Sequence, residues 1–504
     1  MGSYVVLDGT GLDADAVAAI ADHEAEPTVL PEAYGRAERS WHAARQAAAA
    51  GRLYGRHTGV GANRMVLVSE DDQAGQDLRL LRSHAGGIGA PIPARQVRAM
   101  LAVRANQVLA GGSGLQPAVV TALVAALRLG LYPAVPEHGA VGTGDLTALA
   151  QAGLALIGEQ PWLRDPAGSA GGPAGEPPDA GPAAITLTQG DALSLMSSNA
   201  LTLGQAALAC HDLDVLLRAT HAVAALSLAG VSGSLEAYAA PVHALRPYPG
   251  ARRAAAEVRR LLGAPDIPVT PGRRIQDPYG FRAFPQVHGP AMEAAAVLGR
   301  ILSVEVNCAS ENPLISEDGP DGGPAAFHHG GFFAAPLGLA LDQLSLAVLQ
   351  TAQLSVSRLT HLGDPEMTGL RPFLACGPAA SSGTMILEYS ASSALAEIRA
   401  AASAPASAGH AVLSRGTEEA ASFATQAARQ TLRTVEAYRL VLSCELVAAV
   451  RALRLQPGLL APDAPVSAAL TAGVSGTLPA ATEDRPLTAD VAAAAGLLRT
   501  LADL

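Results

Sequence analysis

Residues 420–453 read "AASFATQAARQTLRTVEAYRLVLSCELVAAVRAL", and residues 337–359 read "LGLALDQLSLAVLQTAQLSVSRL". Both carry apolar residues at helical spacing over more turns than a usual globular helix. Helices of that length, rich in alanine and leucine, can bury their apolar sides only against other long helices. They predict a bundle core and oligomer contacts. "PARQVRAMLAVRANQVLAG" (94–112) predicts another helix, with Val97, Met100, Leu101, Val108 and Leu109 on one face. Strand-like alternation is scarce beyond "SYVVLDG" and a short "ITLTQGD". An aromatic content of 4% suits close, alanine-mediated packing, so the expected class is mainly α.

The chain has 504 residues, 49% of them hydrophobic and 16% charged, which favours a sizeable core over disorder. A net charge of −11 argues against nucleic acid or an anionic membrane as partner. Every basic residue is arginine. Cys210, Cys308, Cys376 and Cys444 form no CxxC pair, so neither a metal site nor a disulfide framework is expected. The N-terminus lacks a basic start followed by an apolar run, and "PAVVTALVAALRLGLYPAV" is interrupted by Arg128. A soluble, cytoplasmic protein that spans no membrane is the expectation. "DPAGSAGGPAGEPPDAGPAA" (165–184) and "SEDGPDGGPA" (316–325) are expected surface loops. Residues 1–195 form an expected N-terminal α region and 196–504 a long-helix bundle with C-terminal helices, in one continuous body.

Several stretches hold more polar and glycine residues than a bundle needs. "LYGRHTGVGANR" (53–64) suits a mobile loop presenting Tyr54, or a surface loop with a packed tyrosine. "LLRSHAGGIGAPIP" (80–93) sets His84 before glycines; a hydrogen-bonded structural histidine is the simpler expectation. In "RRIQDPYGFRAFPQVHG" (273–289), Gln276, Tyr279 and Arg282 recur at spacing three, as on one side of a helical turn. Arginine can grip a carboxylate through two hydrogen bonds, and tyrosine can move a proton if positive charge lowers its pKa. Asn307, Asn312, Glu418 and Glu419 are expected to be caps and first-turn acids.

Together these stretches resemble the aromatic amino acid lyase family of ammonia-lyases and aminomutases. "YGRHTGVG" is close to its YGxNTGFG, "RSHAGGIG" to SHAxGxG, "QDPYGFRAFPQVHG" to QDxYSxRCxPQV, and "VNCASENPL" to NSxTDNPL. The resemblance runs in order from about residue 50 to residue 455. It implies a mainly α-helical homotetramer with a long central bundle and active sites shared between subunits. It further implies Tyr54 as the base that removes a proton from the substrate, Arg282 on the substrate carboxylate, and Tyr279 and Gln276 beside the reactive centre. His84 and Glu418 fall where histidine ammonia-lyases have histidine and glutamate, and Phe333 falls on a pocket phenylalanine. A small amino-acid-like substrate with a polar or basic side chain is implied.

The resemblance breaks at one place. The family's GSVGASGDLAPLA contains the Ala-Ser-Gly that cyclises to 4-methylidene-imidazol-5-one (MIO), an electrophile; this chain reads "GAVGTGDLTALA". Gly142, Thr143 and Gly144 stand there with one residue fewer and no serine. His57, Ser197 and Phe332 occupy positions where the family has asparagine, with Asn199 a stand-in for the second. Cyclisation of Gly142-Thr143-Gly144 would leave an ethylidene group whose methyl hinders attack. The expectation is therefore an enzyme of this superfamily without the standard electrophile, Thr143 capping the helix that follows. Tyrosine-based elimination, addition or cyclisation on an already activated substrate would remain open to it. The alternatives are an ammonia-lyase or aminomutase with an atypical imidazolone, and a silent ligand-binding homologue.

Overall fold

The computed structural model describes residues 3–51, 53–167, 181–268, 273–471 and 475–504. The expected loop at 165–184 lies partly outside these, over 168–180. Long helices run over Ala200–Gly230, Phe284–Glu305, Ala335–Leu362 and Ala424–Leu455. The two longest sequence runs therefore fold as their periodicity requires. Strand structure is confined, among the described residues, to four two-stranded sheets. Ser3–Leu7 pairs in parallel with Ala25–Val29, whereas Leu314–Ser316 pairs antiparallel with Ala325–Phe327 around the glycine-rich 316–325 loop. "ITLTQGD" is not a strand: Thr188 donates its N–H and its hydroxyl to Asp191, turning the chain into the Asp191–Met196 helix.

Contacts divide the chain into two units. The first comprises Met1–His211, Leu298–Leu341 and Pro405–Arg429; the second comprises Asp212–Val297, Asp342–Ala404 and Gln430–Leu504. The division does not follow a cut at residue 195, because it falls inside the four long helices, each of which supplies residues to both units.

In the first unit the Ala94–Leu109 helix is buried without a break from Val97 to Leu109, so it has no single apolar face. Its polar residues are buried too, and each does structural work. Arg98 donates to the carbonyls of Ile20, Ala21 and Leu127, satisfying the ends of two other helices that have no intrahelical partners left. Asn106 reaches Gly9 and Val306.

The second unit packs three long-helix segments around a buried ion pair. Arg358 and Glu445 are both fully buried, 2.6 Å apart, and Ser227 and Ser355 donate to the same carboxylate. With every oxygen of the pair satisfied, the desolvation cost of burying two charges is offset. Small residues bring the backbones together: a Cβ on Gly230 would stand 3.4 Å from that of Ala452. Within Asp191–Gly230 an apolar window is long enough to cross a bilayer, yet 78% of it is buried inside the protein, as in a core helix.

Candidate active site

Tyr54 sits in the first unit on a segment held from both sides. Leu53 is buried, and Arg56, only 6% exposed, donates to the carbonyls of Gln189 and Gly114. Gly190 takes φ +89°, and a Cβ there would overlap the Arg56 guanidinium, so glycine is required under the arginine. The buried carboxylates Asp77 and Asp191 supply the opposing charge. The expected mobile loop is thus pinned at Tyr54, and exposure is concentrated further on, at Met65, Val66 and Leu67.

The half-buried Tyr54 hydroxyl accepts the Gly61 N–H at 2.7 Å, and its ring meets His328 edge-on. Burial pushes the phenol above its usual pKa. The Gly61 N–H opposes this, the Glu418 carboxylate adds to it, and Arg64 pulls the other way. The lowering by positive charge expected of a tyrosine base does not prevail here. Glu418 accepts from Ser414 Oγ at 2.9 Å in a loop closed by Leu413 and Glu418, well before the helix that begins at Ala424. It is not a first-turn acid. His57 folds back so that its Nδ1 accepts the Leu53 N–H at 3.0 Å.

The Gly142-Thr143-Gly144 loop, also in the first unit, is gripped at both ends. The Gly142 carbonyl accepts from Ser422 Oγ at 2.7 Å and from the Ala334 N–H at 3.4 Å. The Gly144 N–H donates to Asn199 Oδ1 at 2.9 Å, and Asn199 Nδ2 donates to the Phe332 carbonyl. Asn199 thereby ties the loop to the segment that carries Phe332. Thr143 does not cap the following helix. That helix starts at Leu146, its cap position is Asp145, and the Asp145 side chain turns inward to Thr202. Complete burial raises the Asp145 carboxyl to about 6, even with those two hydrogen bonds opposing it.

Ser197 Oγ accepts the Asn312 N–H, and Asn312 Oδ1 accepts that of His329. Asn307 clamps Leu12 through both its N–H and its carbonyl. Asn307 also caps the Phe284–Glu305 helix at its C-terminal end, its Nδ2 donating to the Ser303 carbonyl at 2.9 Å, whereas Asn312 caps no helix. His84, at the end of the Glu70–His84 helix, bonds the Leu80 carbonyl and Ser83, as a structural histidine does.

Gln276, Tyr279 and Arg282 belong to the second unit. Only the last two share the short Tyr279–Arg282 helix; Asp277 and Pro278 break the turn before it, leaving Gln276 outside and exposed. The Arg282 guanidinium lies over the Tyr279 ring at 4.4 Å, and its Nε is buried with no hydrogen-bond acceptor. A buried, unsatisfied guanidinium N–H beside a 68%-exposed tyrosine is suited to a carboxylate arriving from outside. Ser422 and Asp145 were not singled out from sequence. Both lie inside motifs that were, two residues before the Ala424 helix and directly after Gly144, but nothing local marks their side chains as turned inward.

Comparison with known proteins identifies the family. The family model for aromatic amino acid lyases matches residues 12–475. The histidine ammonia-lyase of Geobacillus thermodenitrificans is 35% identical over 89% of this chain and 88% of its own length. Tyrosine aminomutase from Streptomyces globisporus superposes with a TM-score of 0.88 at 26% identity, covering 99% of this chain and 97% of that one. Ergothionase from Treponema denticola, an ergothioneine degrading enzyme, gives 0.84 at 25% identity over 99% of both chains. On the matched motifs, the family model and the shared fold, this chain belongs to the aromatic amino acid lyase family of enzymes.

Proposed function

We propose that the protein is a lyase acting on an amino acid or amino-acid-like carboxylate through tyrosine acid–base chemistry, without the family's standard electrophile. The observation that carries this is the Gly142 environment. The cyclising triplet of the family begins with alanine, whereas a Cβ on Gly142 would lie 2.7 Å from the Ala424 amide nitrogen and nearer still to Ser422 Oγ. Gly142 also takes φ +82°, which alanine avoids. No serine is present to lose water. The residues present do not fit the standard group, and no step is assigned to it.

In this reading Arg282 takes the substrate carboxylate and Tyr279 stands beside the reacting carbon. Tyr54 exchanges the proton. Its phenol is held protonated by burial and by Glu418, so a cationic substrate group near it would favour the phenolate. Ammonium leaves poorly, and covalent attachment is the usual remedy. Without it, the substrate must carry a better leaving group, such as a quaternary ammonium, which cannot lose its charge to a base before it departs as a neutral tertiary amine. Relatives named for histidine, and Glu418 at the site, support an imidazole-like side chain.

One observation favours a second reading, an ammonia-lyase or aminomutase with an imidazolone made from Gly142-Thr143-Gly144. The Gly142 carbonyl accepts two donors while the Gly144 N–H is held by Asn199. Intact mass and an ultraviolet difference spectrum of the purified chain separate the two. An unmodified mass supports the first reading. A mass lower by two waters with added absorbance overturns it and establishes the second.

A further inference from the structure

We infer that the exposed face of the Pro249–Leu261 helix, in the second unit, is a binding site for a phosphorylated small molecule with an apolar body. In a chain of net charge −11, residues 240–260 hold five arginines (246, 252, 253, 259 and 260) against one acid, Glu257. The helix sorts them by face. Its buried stripe is Gly250, Ala251, Ala254, Ala255, Val258 and Leu261. Arg252, Ala256 and Arg259, at spacings of four and three, line a cavity of about 840 Å³ together with Arg253. That volume is in the range of small-molecule sites. Ala256 and Ile267 give it an apolar lining, and His243 forms part of its wall.

Of the three arginines lining this cavity only Arg259 is paired with a carboxylate of the lining. Glu257 is taken by Arg260 at 2.5 Å. Asp266 is taken by Arg259, also at 2.5 Å. Arg259 is 6% exposed, and its Nε is buried without a partner. Among the described residues the side chains of Arg252 and Arg253 form neither an ion pair nor a hydrogen bond, though Arg253 is near enough to Glu257 and His221 to act on them through its charge. Three guanidiniums against one carboxylate leave two positive charges to be matched. A phosphate dianion supplies that charge and accepts several guanidinium N–H bonds at once. The apolar lining would hold the remainder of the molecule. None of these residues belongs to the Tyr54, Thr143 or Arg282 sets.

The test is calorimetric titration of the full chain with phenyl phosphate, inorganic phosphate and benzoate. Saturable binding of phenyl phosphate is expected, tighter than inorganic phosphate, which lacks the apolar body, and tighter than benzoate, a monoanion. The double variant Arg252→Gln/Arg253→Gln changes two exposed side chains; it should unfold thermally like the parent and bind phenyl phosphate at least about tenfold more weakly. Tyr54→Phe should bind it unchanged. The inference is overturned by absence of saturable binding at millimolar phenyl phosphate, by equal binding in the double variant, or by a preference for benzoate. Loss of binding in Tyr54→Phe would overturn it as well, since the probe would then be occupying the active site.

Discussion

Ser422 Oγ donates to the Gly142 carbonyl from the space that any side chain at residue 142 would need. The loop at the family's reactive position is therefore held by a contact that only glycine admits. Ser422→Ala removes one donor while the Ala334 N–H remains, and should cost about 1 kcal/mol. Gly142→Ala adds a strained backbone and an overlap, and should cost at least about 2 kcal/mol. In the double variant the missing hydroxyl removes the nearest overlap, with the Ala424 and Phe423 amide nitrogens still close, so urea midpoints should show a loss smaller than the sum. Additivity within about 0.5 kcal/mol would mean that the two residues do not share this space.

Glu418 opposes ionisation of Tyr54. Replacing it with glutamine removes a negative charge from beside the phenol, which favours the phenolate. The pKa of Tyr54 should fall, and the alkaline-rising limb of kcat/KM against pH should move to lower pH. A profile unchanged by Glu418→Gln would show that Tyr54 is not the titrating group.

Arg282 offers a buried Nε–H with no acceptor. Arg282→Lys keeps the charge but loses the planar fork and the stacking on Tyr279. Substrate KM should rise by roughly thirtyfold, about 2 kcal/mol, with an unchanged unfolding temperature. An unaltered KM would remove the arginine from carboxylate binding.

His221 and His288 stack edge-on at 4.7 Å inside the second unit, between the Leu217 carbonyl, Thr351 and Phe284. Burial lowers His221 to about 4 and His288 well below 6.5. The folded state thus binds fewer protons than the unfolded one as pH falls below about 6.5. Their neutral forms cost nothing above that pH, and stability is lost below it, by up to about 1.4 kcal/mol per pH unit for each histidine. Denaturant midpoints measured from about pH 7 down to about pH 5 should fall, and His221→Gln should flatten the slope. An equal slope in the variant would place the acid sensitivity elsewhere.

The long helices were legible because their burial is repetitive: each turn of 424–455 repeats the same demand, and sequence periodicity reports it. The family was legible where residue type and order are distinctive, as in "YGRHTGVG" and "QDPYGFRAFPQVHG". What escaped depends on partners distant in sequence. Thr143 reads as a helix cap until Asp145 is seen in the cap position, turned towards Thr202. Asn307 reads as a cap and does cap Ser303, but its second partner, Leu12, is not signalled nearby, and Asn312 bonds His329 instead of a helix end. The Val97–Leu109 segment reads as one-faced because its buried Arg98, Arg104 and Asn106 look like surface residues until the carbonyls they serve are known.

Arg56 locks the chain two residues beyond Tyr54, with Leu53 buried just before it. The phenol proposed to carry the proton is therefore a fixed post, and the exposed Met65–Leu67 stretch beyond it is itself tied back, the Gly59 N–H to the Val66 carbonyl and the Val68 N–H to the His57 carbonyl. Side-chain changes at the exposed Met65 or Val66 should then leave the post standing where it is, because its anchorage lies on the other side, in Leu53 and Arg56.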